Sequence, residues 1–178
     1  MYIQPKLPPV TQTIRGDFFW QRAKAGQQLV GGDKMSTVTL EAGSRYVGGK
    51  GYSVVDALGA SEISLTRGQS VAYLRGDSIV LALDRDKDTI FVDGSNNAVS
   101  TDVNDEILLS GRGTNNYFIG TGGILSGTGT NLTRTNELAP DGKTQLYRYT
   151  NEKGDSFSVQ ASGNYVFKYG TPVINIVA

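Results

Sequence analysis

Residues 61–94, SEISLTRGQSVAYLRGDSIVLALDRDKDTIFVDG, constrain the fold more tightly than any other stretch of the chain. Four short apolar runs follow one another, and each ends in turn chemistry before it could complete a helix. Ile63 and Leu65 alternate with polar neighbours, and Arg67-Gly68 turns the chain. A second run, 71–74, leads to Arg75-Gly76-Asp77. Residues 79–83 are apolar throughout, the pattern of a strand buried on both faces. After the charged turn 84–88, Ile90, Phe91 and Val92 end at Asp93-Gly94, a dipeptide suited to positive φ.

The remaining chain keeps the same rhythm. Val38 and Leu40 fall on one face, 48–51 read as a glycine-rich hairpin, and 54–58 fit a strand or one helical turn. Residues 95–104 read as a loop or short edge. Pro140-Asp141-Gly142 is a strong turn, and 146–150, 156–161 and 165–169 alternate as strands. Glycine, at 23 of 178 residues, supplies the turns that so many short strands require. The expected fold is all-β: a single-domain antiparallel sandwich or barrel of many short strands. Residues 1–13 form an extended proline-rich arm, and residues 14–178 form the β domain.

Composition removes whole classes of function. The chain has no His and no Cys, which excludes serine–histidine and cysteine–histidine catalysis, disulfides and thiolate metal sites. Seventeen basic residues balance seventeen acidic ones, so no long-range field recruits nucleic acid or an anionic membrane. The opening MYIQPKLPPV lacks the apolar run of a signal peptide or membrane helix. The chain is expected to be made and folded in a cytoplasm and to act elsewhere after assembly.

Neither 44–51 nor 137–144 meets the spacing of a phosphate loop, and the glycines of 110–135 do not continue to a dinucleotide fingerprint. Asp84, Asp86 and Asp88 alternate like the start of a calcium loop. Thr89 and Ser95 then stand where that loop needs Gly and a bidentate Glu, which favours a solvated hairpin tip. Asp102, Asp105 and Glu106 form a second carboxylate cluster, read as charge on an exposed edge. No catalytic residue and no cofactor is assigned.

Candidate contact residues lie at the two ends of the chain. Tyr2, Pro5, Pro8 and Pro9 belong to the arm. Phe18, Phe19 and Trp20 are the largest aromatic cluster, either an anchor in the core or a docking surface. Ile174 and Ile176 lie in a final apolar strand that needs a partner. Tyr147, Tyr149 and Tyr165 offer either cross-strand packing or an aromatic face for carbohydrate or another ligand.

Two resemblances extend this reading. Residues 37–43 (TVTLEAG) and 63–83 (ISLTRGQSVAYLRGDSIVLAL) resemble β modules of tailed-bacteriophage tail, fibre and decoration proteins, which implies a non-enzymatic structural subunit. Such a subunit would act by strand pairing with itself, as a homo-oligomer, and with other virion or assembly proteins. Residues 90–94 and 120–127 resemble the strand and glycine-rich hairpin of allene oxide cyclase and dirigent-like barrels, which implies an eight-stranded barrel around a small apolar ligand. A carbohydrate-binding module is the third alternative.

Overall fold

The computed structural model describes residues 6–168 and 173–177, and every helix or strand among them is a β-strand. The chain winds into seven successive coils, each contributing one strand to each of two facing sheets. The first coil holds β1 (Gln12–Gly16) and β2 (Gln21–Ala23), and the second β3 (Gln27–Gly31) and β4 (Ser36–Leu40). Then come β5 (Arg45–Val47) with β6 (Ser53–Ala57), β7 (Glu62–Leu65) with β8 (Ser70–Leu74), and β9 (Ile79–Ala82) with β10 (Thr89–Val92). The sixth and seventh coils hold β11 (Ala98–Thr101) with β12 (Glu106–Leu109), and β13 (Asn116–Gly120) with β14 (Gly122–Ser126). Within the coils each strand pairs in parallel with the strand two places away, so odd strands build one sheet and even strands the other.

This is a parallel β-solenoid, and it corrects the expected antiparallel sandwich or barrel. Period-2 alternation tells which face a side chain takes, and that is the same in both architectures. It does not tell which strand lies alongside. Arg67-Gly68, Arg75-Gly76-Asp77 and Asp93-Gly94 do turn the chain, but each is a corner that passes it to the opposite sheet. The true neighbour lies a full coil away: Arg45 pairs with Glu62, 17 residues on, and Ser78 lies over Asn97, 19 residues on. The eight-stranded barrel falls with the same finding, because 90–94 and 120–127 occupy stacked coils.

Inside, like positions stack into columns. Leu29, Tyr46, Ile63, Val80, Val99 and Phe118 succeed one another on the odd sheet; Val38, Val55, Ala72, Ile90, Ile107 and Leu125 do so on the even sheet, all buried. The run 79–83 is not buried on both faces. Val80 and Ala82 point inward, while Leu81 and Leu83 are 40% and 54% exposed on the outer surface. The residues 95–104, expected as a loop or edge, contain β11 in the middle of the odd sheet. Small residues set the coil width where a large side chain crosses the core: a Cβ at Gly31 would meet the Tyr46 hydroxyl at 2.6 Å. That hydroxyl is hydrogen-bonded to Ser53 Oγ at 2.8 Å.

After the seventh coil an insertion covers the end of the core. β15 (Asn131–Leu138) and β16 (Gln145–Asn151) form an antiparallel pair across the turn at Pro140-Asp141-Gly142. β17 (Ser156–Gln160) then lies between β13 and β16, β18 (Asn164–Phe167) stacks on β14, and β19 (Val173–Ile176) pairs in parallel with β15. Tyr149 stacks on Phe157 at 5.3 Å and meets the edge of Phe167 at 5.7 Å, sealing the columns with aromatic area.

The two inner corners carry polar stacks. At the entry to the odd strands, Ser44, Ser61, Ser78, Asn97 and Asn116 are buried one above another. Asn97 Oδ1 accepts the Ser78 amide at 3.1 Å, and Asn116 Oδ1 accepts both the amide and the Nδ2 of Asn97 at 3.1 and 3.0 Å. Replacing Asn97 with Ala strands the buried Ser78 donor, which costs about 1–3 kcal/mol. Urea denaturation of Asn97→Ala should show that loss, against no comparable loss for Asn164→Ala at an exposed position.

Candidate functional site

Three features stand out from the scaffold: the open ends, an aromatic patch on the even sheet, and an acidic inner corner.

At the first end, β1 and β2 are the terminal strands of their sheets, so one backbone edge of each has no strand beside it among the described residues. Between them the aromatic cluster divides. Phe18 is 8% exposed and belongs to the core, whereas Phe19 and Trp20 are 97% and 75% exposed at the corner. Exposed Met35 and Tyr52 occupy the same corner of the next two coils, adjacent in register. Pro8 and Pro9 are exposed, but this part of the arm lies on its own chain: Arg45 Nη1 donates to the Pro8 carbonyl at 2.8 Å, and Pro8 lies against Gly43. Tyr2 and Pro5 lie outside the described residues. At the other end, β18 and β19 are the terminal strands. β19 finds its partner in β15 within the chain, with Ile174 half-buried and Val173 and Ile176 exposed on the outermost strand, and Val177 exposed just past its end.

The three tyrosines proposed as a ligand face do not share a surface. Tyr149 is buried in the aromatic seal, where burial raises its pKa. Tyr165 turns its hydroxyl into the interior, and burial pushes that group up to about 12. Tyr147 is half-buried beneath Arg134, whose guanidinium carbon lies 4.4 Å from the ring centre. Solvent-facing aromatic stacking occurs elsewhere: Tyr73 and Phe91, register partners on β8 and β10, lie parallel at 4.7 Å on the outer face of the even sheet beside Leu108. A reading confined to one strand at a time could not see this pair, because one coil of sequence separates its members.

The acidic corner lies where the odd strands pass to the even ones. Ser36, Ser53 and Ser70 stack there, and the next two positions are Asp88 and Asp105, both wholly buried. Asp88 Oδ1 accepts the Ser70 amide at 2.7 Å, and Asp105 Oδ1 accepts the Asp88 amide at 3.0 Å. Asp105 Oδ2 takes the Asp102 amide at 2.9 Å. In the longer corner 83–88, Asp84 Oδ1 accepts the Asp86 amide, while Asp86 reaches back to the Gly68 amide at 2.6 Å.

The DRDKD segment is therefore a corner between the two sheets and not a hairpin tip, although its middle residues are solvated as expected. Asp88 is buried and Asp84 half-buried there, while Arg85, Asp86 and Lys87 are exposed. Asp102 and Asp105 are likewise buried at 8% and 0%, where charge on an exposed edge was expected. Among the described residues no group of three carboxylate side chains is arranged to hold a metal ion. None of the five Asp side chains makes an ion pair with a described residue. Burial, then the charge of neighbouring carboxylates, pushes Asp88 up to about 7; burial, with the Asp102 and Asp84 charges adding to it, raises Asp105 to about 7.

A small polar cleft of about 220 Å³ opens at the opposite corners, lined by Gly111, Gly127, Gly129, Asn151 and Asp155. Two of its polar side chains are tied to each other: Asn151 Nδ2 donates to Asp155 Oδ2 at 3.0 Å, and Asn151 Oδ1 accepts the amides of Lys153 and Asp155; Glu152 and Lys153 also line it. Set against family models, curated proteins and solved structures, the chain matches none.

The acidic corner fixes the sign of the pH dependence. Asp88 and Asp105 keep their protons to about pH 7 when folded and to about pH 4 when unfolded. The folded state binds more protons between those values, so stability falls as pH rises through that window and levels off above it. Thermal melts from pH 4.5 to 8.5 should show the midpoint falling and then flattening near pH 7. Asp88→Asn should shallow that slope.

Proposed function

We propose that this chain is a non-enzymatic structural module that works by assembly, joining through its open strand edges to further copies of itself or to neighbouring chains of a larger particle. A virion is the kind of particle to which the sequence resemblance points. The carrying observation is that, among the described residues, both sheets end in unpaired backbone at each end of the stack, with Phe19 and Trp20 beside one end and Val173 and Ile176 on the other. Solenoid coils are held almost entirely by their neighbours, so a terminal coil gains what an inner coil already has when another strand adds to it. An edge strand left open is a template for such addition. Exposed aromatic area next to the edge adds burial to the backbone hydrogen bonds.

Light scattering on the purified chain tests this reading. The expected result is a defined oligomer that Phe19→Ser with Trp20→Ser shifts toward monomer at the same concentration. These side chains are exposed, so the substitutions should leave thermal stability of the monomer within about 0.5 kcal/mol. A wild-type chain that stays monomeric at high concentration, with the double variant indistinguishable from it, would overturn the assignment.

A further inference from the structure

We propose that the acidic corner is a proton-operated latch: protonated, it locks the 83–88 corner to the coils above and below, and ionised, it releases that corner to solvent. The geometry leaves a place for the proton. Asp88 is 0% exposed, and its Oδ1 is spent on the Ser70 amide while its Oδ2 is buried without a hydrogen-bond partner among the described residues. Asp84 repeats the pattern, with Oδ1 on the Asp86 amide and a buried, unpartnered Oδ2. An unmatched buried carboxylate oxygen costs far more as an anion than as a neutral O–H.

Among the described residues the surroundings offer no other neutralising group. On the coil before, the corner 66–69 carries one charged side chain, Arg67, and it is exposed. The latch's own corner carries Arg85, Asp86 and Lys87, also exposed. The coil after contributes Asp102 and Asp105, and beyond them lies Tyr165, which is neutral throughout this range. Glu106 is paired with Lys168. Charge on Asp84, Asp88 and Asp105 together can be relieved only by letting solvent in or by turning 84–86 outward. Turning out breaks three bonds between coils: Gly68 amide to Asp86, Arg85 amide to Asp102, and Asn104 Nδ2 to the Arg85 carbonyl. The proton that leaves goes to bulk water, and no other group need change state.

The equivalent stack at the other corners provides an internal control, because Asn97 and Asn116 make the same amide bonds with neutral side chains. Amide hydrogen exchange, corrected for intrinsic rates, should be followed from pH 5 to pH 7.5 in the full chain. Protection at Gly68, Ser70 and Arg85 should fall by about tenfold or more, the factor that one pKa unit represents. Protection at Ser78 and Asn97 should hold. In Asp88→Asn, whose amide mimics the protonated acid, the pH-dependent loss should shrink, with Asp84 and Asp105 the carboxylates that remain. Should that variant fail to fold, carboxyl-carbon NMR of the wild-type chain reads the same event as a buried Asp titrating between pH 5 and 8. Uniform protection across the range, or no Asp titrating there, overturns the latch. Restoration of protection at pH 7.5 by calcium alone also overturns it, in favour of a cation site.

Discussion

At the inner corners of the coils backbone amides lie buried, and for those of Ser70, Asp88, Ser78 and Asn97 the acceptor is a side chain and not a strand carbonyl. A buried donor without an acceptor costs more than most side-chain contacts return. The two inner stacks answer that constraint. Asp88 of the fifth coil, Asn97 and Asp105 of the sixth and Asn116 of the seventh each reach back to an amide of the coil before, so Ser70 is held by Asp88, Asp88 by Asp105, Ser78 by Asn97 and Asn97 by Asn116. The parallel ladders and the apolar columns can close only because these corners are satisfied.

The residue types in the stacks follow from reach. Early corners use Ser, whose short side chain finds carbonyls on the corner, as Ser44 does at Glu41 and Ser70 at Gly68. Later corners use Asp and Asn, which span to the next coil. The two choices differ in one respect that matters. An Asn stack is neutral at every pH, whereas a buried Asp stack is comfortable only while it keeps its protons. One side of the solenoid is thereby indifferent to pH and the other is not, although the backbone geometry served is the same.

Much of the strand pattern was legible in the sequence, since Val38, Leu40, Ile63, Leu65, Ile90 and Val92 show their inward faces by simple alternation. The pairing was not, because alternation carries no information about neighbours. The signal that does carry it lies in another period: Ser36, Ser53 and Ser70 recur every 17 residues, as do Ser44, Ser61 and Ser78. That 17-residue recurrence is the sequence signature of a stacked coil and distinguishes a solenoid from a run of hairpins. Asp84, Asp88, Asp102 and Asp105 misled for a related cause. Acidic residues beside turns are usually solvated, and only the stacking of one corner on the next buries them. The exposed pair Tyr73 and Phe91 was hidden in the same way, while Phe19 and Trp20 stood out because their cluster is local in sequence.

The solenoid rests on parallel register one coil apart, and the absence of cysteine makes that register directly measurable. Ser64 and Leu81 are register partners on neighbouring strands, both turned outward. Adjacent strands lie about 4.8 Å apart, within the range that a disulfide or a short bis-thiol reagent can bridge. With Ser64→Cys and Leu81→Cys in one chain, mild oxidation or that reagent should give an intramolecular cross-link in high yield. Ser64→Cys with Val71→Cys should give none, because those residues face outward from opposite sheets. Cross-linking of Ser64 to Val71, with none to Leu81, is the pattern of an antiparallel hairpin and would contradict the solenoid.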